Sequence, residues 1–488
     1  MPKDVSTFEI ALAERPRRTT LTHWLYKELR SAILEGRLRP GSRLPATRDF
    51  AIQYNVSRGT AVTAFEQLQA EGYLVSQVGS GTRVNDRLPE HFLSAVKRES
   101  QLPRLPGPVS GFTVSRPARP FRPYEPATSK FPIGIWARVA GRRLRRASNS
   151  LLAGRDPRGY APLRDAIAAY LGSSRGVKCS PDQLVVVSGV QQGLDLLARI
   201  LIKHGEAVWI EDPGYFGATT AFRNVGAKII PVPVDEQGLM LSVGQRLCVR
   251  ARAAYLTPAH QFPLGMAMSL ERRLAILAWA REAKTFLIED DYDSEYRFEG
   301  LPVPALQGLD QNERVILLGS FNKLLFPSLR IGYAVLPSTL VDPFLAQRFS
   351  VDLHPSGLDQ AILCDFIIEG HLGRHVRRMR ELYAQRLAAL QDGARRFLDG
   401  LLEVQPIQAG LNTAGILRNS MTSRQAEAAA SARGIEAMAL SRFALKRTDV
   451  HGLLLGFAAF DQREIRRGIM SLATALEGDN TNQNPLVH

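Results

Sequence analysis

Cysteine is scarce in this 488-residue chain: Cys179, Cys248 and Cys364 are the whole complement. They lie far apart and form no CxxC pair, so neither a disulfide framework nor a zinc or other metal site is expected. Long apolar runs are missing as well. No stretch reaches the roughly 20 uncharged apolar residues that a bilayer span needs, and Met1-Pro2-Lys3-Asp4 does not lead into the apolar core of a signal peptide. A cytoplasmic protein with no membrane partner is expected. Acidic residues are few, 47 against 62 Lys+Arg, which leaves a formal charge of +15. The hydrophobic fraction of 45% excludes a largely disordered chain, and at roughly 100 to 200 residues per domain the length implies more than one.

The acidic deficit is local. Residues 101–150 hold ten basic residues and one acidic one, residues 1–100 hold 15 and 11, and residues 151–488 are nearly balanced at 37 and 35. A basic N-terminal third joined to a near-neutral body suggests a polyanion-binding module on a neutral domain, with residues 101–150 adding salt-dependent, sequence-independent affinity.

Three regions separate along the chain. Residues 1–88 carry helical periodicity, with Leu25, Leu29, Ala32 and Ile33 on one face. Residues 89–130 are rich in Pro and Arg, as in Arg116-Pro117-Ala118-Arg119-Pro120-Phe121-Arg122-Pro123. Repeated proline removes backbone donors and favours an extended chain, so this stretch reads as a semi-stiff linker. From residue 131 to 488, short apolar runs (184–187, 207–210, 229–232, 286–288, 315–318) alternate with helical stretches, which predicts an α/β domain with a mainly parallel sheet.

In the first region, a short helix over 49–54 is followed by the turn Asn55-Val56-Ser57, and Ser57 is placed to cap a second helix over 58–69. This is helix-turn-helix spacing, in which the first residues of the second helix face base edges in the major groove. Here those are Ser57, Arg58, Gly59 and Thr60; Arg58 offers a planar fork for guanine, while Ser57 and Thr60 suit phosphate oxygens. Two strand-like runs around Gly79-Ser80-Gly81 complete a hairpin wing. Together with Ile33-Leu34-Glu35-Gly36-Arg37-Leu38-Arg39-Pro40-Gly41-Ser42-Arg43-Leu44-Pro45-Ala46-Thr47-Arg48, the module resembles the GntR-type winged helix-turn-helix, an α+β fold. The resemblance implies binding of double-stranded DNA, with Arg48, Arg58, Thr60 and the wing's Gly79 at DNA-contacting positions. Many family members have Arg where this chain has Val62, which implies one contact fewer.

The third region carries a second set of motifs. Gly319-Ser320-Phe321-Asn322-Lys323 follows an apolar strand, with a hydroxyl three residues before the lysine and Arg330 seven after it. Phe286-Leu287-Ile288-Glu289-Asp290-Asp291-Tyr292-Asp293 puts acids at a strand's carboxyl end, where α/β sheets bind ligands. Ser188-Gly189-Val190-Gln191-Gln192-Gly193 joins a strand to a helix N-terminus able to hold an anion. Glu211-Asp212-Pro213-Gly214-Tyr215 can bring an aromatic ring over a flat ligand. A lysine, an acid for a ring nitrogen, a phenol, a stacking ring and a phosphate cradle are the demands of pyridoxal 5'-phosphate chemistry.

In this order the motifs resemble the fold-type I aminotransferases, and the whole chain resembles the MocR/GabR family of bacterial regulators, with Thr257-Pro258-Ala259-His260-Gln261-Phe262-Pro263-Leu264-Gly265 close to that family's wording. The resemblance implies Lys323 as the Schiff-base lysine, Asp290 as partner of the pyridine nitrogen, Tyr292 as partner of O3′ and Tyr215 as the stacking ring. It implies Val190, Gln191, Ser320 and Arg330 around the phosphate. Relatives often have Asn at Phe262, Tyr at Gly154 and Ser at Asn322, and their substrate-carboxylate Arg falls at Leu454. An apolar residue cannot hold a carboxylate, so amino-acid turnover is doubtful unless Arg442 or Arg447 substitutes. The resemblance therefore implies a homodimeric transcriptional regulator reading repeated half-sites, with pyridoxal phosphate and a small amine or amino acid as cofactor or effector. The alternative is a working aminotransferase with an accessory DNA module.

Overall fold

The computed structural model describes residues 10–13, 15–16, 19–77, 81–88, 119–153, 156–300 and 303–477. The chain divides into two compact units, residues 1–114 and 115–488.

In the first unit, α1 (Leu21–Leu34) buries Leu25, Leu29, Ala32 and Ile33, the face its periodicity predicts. The short α2 (Thr47–Gln53) buries Phe50 and Ala51, and α3 (Arg58–Ala70) buries Ala61, Ala64, Phe65 and Leu68. The rings of Phe50 and Phe65 meet edge-on at 5.2 Å, locking the two helices. Ser57 Oγ accepts from Thr60 N at 3.0 Å, satisfying one of the helix's free amides. The wing is an antiparallel pair, β1 (Leu74–Gln77) and β2 (Gly81–Val84), in which Leu74 opposite Val84 faces the core.

The second unit is built on an eight-stranded sheet. Its strands are β3 (Leu184–Val187), β4 (Ala207–Asp212), β5 (Lys228–Asp235), β6 (Gly238–Leu239), β7 (Ala253–Leu256), β8 (Phe286–Asp291), β9 (Val315–Ser320) and β10 (Gly332–Val335), in the order β3-β10-β9-β8-β7-β4-β5-β6. The block from β9 to β5 is parallel; β10 runs antiparallel to both of its neighbours. Alternation along each strand feeds two cores. Leu184, Val186, Leu317 and Tyr333 face one, whereas Val185, Val187, Ile316 and Leu318 join Leu194, Leu197 and Leu201 of α4 (Val190–Leu201) in the other. A second, antiparallel sheet has the order β11-β12-β14-β13, from β11 (Leu402–Val404), β12 (Asn412–Leu417), β13 (Met438–Ala439) and β14 (Gly452–Gly456). Among the described residues no helix is long and apolar enough to cross a membrane.

The linker expected over 89–130 ends earlier than its composition implies. Phe121 is fully buried in the same core as Phe131, its carbonyl accepts from Gly456 N at 2.9 Å, and Pro120 O accepts from Glu436 N at 2.9 Å. Arg122 is ion-paired with Glu436, so its charge is already engaged inside this unit. A proline-rich segment can line a domain when its apolar side chains find a core, and here it does so through turns, with Phe121 and Tyr124 at φ of +67° and +66°. Arg116 lies outside the described residues.

Candidate functional site

The carboxyl ends of the central strands open on one cavity of about 340 Å³. All eight residues expected there, Lys323, Asp290, Tyr292, Tyr215, Val190, Gln191, Ser320 and Arg330, line it. Among the other lining residues, Tyr124, Tyr255 and Thr257 were not picked out as ligand contacts from the sequence, and Phe262 stands out there only as the position where relatives often have Asn. Tyr124 was hidden in the stretch read as linker; Tyr255 was legible as an aromatic near the carboxyl end of a short apolar run.

Asp290, at the end of β8, is buried. Tyr255 Oη donates to its Oδ2 at 2.6 Å, while its Oδ1 is buried without a partner. Burial pushes this carboxyl up to about 7, against the Tyr255 bond, which pulls it down. Such an atom is an acceptor waiting for a proton-bearing ligand atom. Lys323 Nζ donates to the Tyr124 carbonyl at 2.7 Å and lies 5.1 Å from the centre of the Tyr124 ring. Burial holds this ammonium down to about 8, closer to the neutral form that a nucleophilic amine requires.

Tyr292 Oη is 3.0 Å from His260 Nδ1, which is 2.9 Å from Asp293 Oδ1. A carboxylate only accepts, so this arrangement assigns the proton to His260 Nδ1. Tyr292 Oη is then an acceptor on that side, and its own hydrogen is free to point into the cavity.

At the opposite end the chain leaves β3 through Gly189, whose φ of +134° is open only to glycine; an added Cβ would stand 3.6 Å from Arg330 Nη1. The first residues of α4 follow directly, so its free amides, Ser320 and Arg330 converge. The Gln191 side chain is committed elsewhere, accepting from Tyr215 Oη at 3.3 Å and donating to Gly217 O at 3.1 Å. What it offers an anion is its backbone amide. Asn322, one of the unusual positions, holds the local backbone together. Its Oδ1 accepts from Ile331 N at 3.1 Å and closes the loop after the lysine.

Phe262 faces Tyr124, Tyr215 and Phe443 with ring centres 5.5, 6.1 and 5.0 Å apart. Leu454 is buried in the same apolar cluster. Neither proposed substitute cation reaches the cavity: Arg442 Nε bonds Glu427 at 2.8 Å, and Arg447 Nε bonds Asp449 at 2.9 Å. Gly154 lies outside the described residues.

In the first unit, Arg48, Ser57, Arg58 and Gly59 are exposed and Thr60 is half-buried, its side chain bonded to Ser57 at 2.8 Å. Gly79 lies outside the described residues.

Residues 21–84 match the model for bacterial regulatory proteins of the gntR family, and residues 129–447 match that for aminotransferase class I and II. The probable rhizopine catabolism regulatory protein MocR of Rhizobium meliloti is 40% identical, over 92% of each chain. The chain belongs to the MocR-type transcriptional regulators. PdxR, the pyridoxine biosynthesis regulator of Corynebacterium glutamicum, is 30% identical over 96% of this chain and 99% of its own. Among solved structures, LysN, the α-aminoadipate aminotransferase of Thermus thermophilus complexed with N-(5'-phosphopyridoxyl)-L-leucine, shares 28% identity with a TM-score of 0.68 over 73% of this chain and 92% of that one. A MocR-type regulator with this C-terminal domain binds DNA and has pyridoxal 5'-phosphate as its cofactor. The cavity fits that group: an unpartnered buried carboxylate oxygen, a lysine of lowered basicity and a helix N-terminus beside an arginine stand at its walls.

Proposed function

We propose that this regulator reads double-stranded DNA through Arg48, Ser57, Arg58, Gly59, Thr60 and Gly79, and that occupancy of its aminotransferase-like cavity tunes that reading. Pyridoxal phosphate supplies an electrophilic carbonyl that takes up amines. The chain's own residues do the rest. Lys323 Nζ is the amine that holds the group. Asp290 Oδ1 accepts the ring-nitrogen proton and keeps it there by opposite charge. Tyr292 donates its free hydrogen to the ring oxygen, and His260, fixed by Asp293, keeps that hydrogen pointing inward. Tyr215 covers the ring. Ser320, Arg330 and the amides of Val190 and Gln191 neutralise the phosphate.

The observation that carries this reading is the convergence of Lys323, its basicity lowered by burial, and Asp290, with one oxygen unpartnered, on a single cavity. Among the described residues, the lack of an uncommitted cation beside Phe262 and Leu454 favours a sensing role over amino-acid turnover, the alternative reading. The acting form is a cytoplasmic homodimer on repeated half-sites, and its effector is the cofactor itself or a small amine admitted beside it. An effector acts only by binding two arrangements of the protein with different affinity.

Full-length protein should show the visible absorbance of a covalently held pyridoxal group, and Lys323→Ala should lose it. Operator affinity should differ between cofactor-loaded and cofactor-stripped protein. Retained absorbance in the variant would remove the lysine assignment, and equal operator affinities would remove the regulatory role.

A further inference from the structure

Successive side chains of a strand point to opposite faces of its sheet. On β8, Asp290 enters the cavity at the strand ends, whereas Asp291 turns to the other face and meets Arg175, the last residue of the helix Ala161–Arg175. Arg175 lines a second cavity, of about 220 Å³. The walls of this one carry three guanidiniums, from Arg175, Arg297 and Arg380, and one carboxyl, from Glu295.

Two donors in the lining are buried and unmatched. Arg175 is only 5% exposed; its Nε donates to Asp291 Oδ2 at 2.9 Å and its Nη1 to the Val303 carbonyl, while its Nη2 has no partner. Ser294, in the turn that follows β8, is 8% exposed, and its Oγ is also buried without a partner. Buried polar atoms are nearly always bonded, so two unmatched donors on one cavity point to an occupant that accepts from both.

The other two arginines are held by neutral oxygens. Arg380 Nε and Nη2 donate to the Glu295 carbonyl at 3.1 and 2.8 Å. Arg297 Nη1 donates to Gln408 Oε1 at 2.8 Å and to the Glu299 carbonyl at 3.4 Å. Such bonds fix a guanidinium and leave its charge uncompensated. Burial, and after it the Arg175 charge, hold Arg297 below its ordinary basicity. Like charges fixed together repel, and an anion between them relieves that repulsion.

The acids present do not cancel this charge. Glu295 Oε1 accepts from Tyr170 Oη at 3.5 Å, and burial together with Asp291 pushes its carboxyl up against the pull of Arg175, towards the neutral form. With Asp291 and Glu295 both ionised, three guanidiniums still face two carboxylates.

We propose that this cavity binds a small dianion, the phosphoryl group of a phosphomonoester or a short dicarboxylate, through Arg175 Nη2, Ser294 Oγ, Arg297 and Arg380. Its volume lies below the range of about 300 to 1,000 Å³ usual for drug-sized ligands, which limits the occupant to a molecule of few atoms. The site shares no lining residue with the cavity of Lys323 and Arg330, and stands whether or not that cavity holds pyridoxal phosphate.

Isothermal titration calorimetry tests this on full-length protein saturated with pyridoxal phosphate, which keeps added anions away from the groups around Arg330. The probes are inorganic phosphate, glycerol 3-phosphate and succinate at constant ionic strength. Saturable binding at one site per chain is expected, and tighter binding of glycerol 3-phosphate or of succinate tells a phosphoryl from a dicarboxylate ligand. Arg175 is buried and ion-paired, so its replacement risks the fold; Arg297 is half-buried and Arg380 exposed, which makes them the positions to vary. Arg297→Gln and Arg380→Gln should each weaken binding about 10-fold or more. Ser294→Ala should weaken it as well, while leaving the melting temperature of the ligand-free protein no lower, since that hydroxyl has no partner to lose. No saturable binding of any of the three probes overturns the proposal. Binding undiminished in all three variants does so too, by moving the anion to another part of the chain.

Discussion

Tyr255→Phe isolates the electrostatics of the cavity by removing one oxygen atom. The ring is fully buried and its volume is nearly conserved, so no large void forms. What disappears is a 2.6 Å bond to Asp290 Oδ2, the one hydrogen bond this carboxylate accepts among the described residues. A bond to a charged acceptor contributes about 1.5 to 3 kcal/mol. In the wild type it opposes burial, which already pushes Asp290 up to about 7. Without it, burial and the neighbouring acids Asp291, Asp293 and Glu289 push the same way and the carboxyl keeps its proton to higher pH. Binding a protonated ring nitrogen requires the ionised form, so cofactor affinity at neutral pH should fall by about 2 kcal/mol, roughly 30-fold. The pH profile carries a second signature: wild-type affinity should decline as pH drops through about 7, and in the variant that decline should begin at higher pH. Cofactor titration by absorbance across a pH series measures both. A dissociation constant and a pH midpoint unchanged from wild type would refute the argument that ionised Asp290 holds the ring nitrogen.

Three further outcomes follow from the geometry. Arg58→Ala should weaken operator binding by about 1 to 3 kcal/mol with little loss of affinity for unrelated DNA, read by gel shift on both; equal losses would make Arg58 a phosphate contact. Glu211 is buried and pushed up to about 7, so the folded protein holds this proton more tightly than the unfolded chain does. Its contribution to stability is therefore present at low pH and lost as pH climbs from about 4.5 through 7. Relative to wild type, Glu211→Gln should gain about 3 kcal/mol between about pH 4 and pH 8, and a pH-independent difference in denaturant midpoint would contradict this. Phe121→Ala should destabilise the C-terminal unit by about 3 to 5 kcal/mol because Phe121 is a core residue; an unchanged melting temperature would return it to the linker.

Much of the site is legible in the local patterns of the chain. The strands β3, β4, β8 and β9 are visible as apolar runs ending in Gly, Asp or Ser, and each ending leads into a residue of the cavity. Local chemistry also fixes the cap at Ser57, since a hydroxyl before a helix has one obvious amide to accept from. Residues whose role depends on a distant partner are the ones the patterns miss. Tyr255 matters because β7 lies beside β8, which brings its phenol to Asp290, 35 positions away. Tyr124 matters because a proline-rich segment lies across the mouth of Lys323, 199 positions away.

Periodicity, capping and turn chemistry act over a few residues, so the chain alone shows the helix-turn-helix, the apolar strands that carry the site motifs at their ends, and the joining of a DNA-reading module to a cofactor domain. Only the tertiary structure decided where the linker ends, which residues surround the lysine, and that neither candidate arginine replaces the missing one at Leu454. Those outcomes depend on burial and on which charges already have partners. Arg442 and Arg447 look alike as candidates in one dimension; in three, each is bonded to a carboxylate, Glu427 or Asp449.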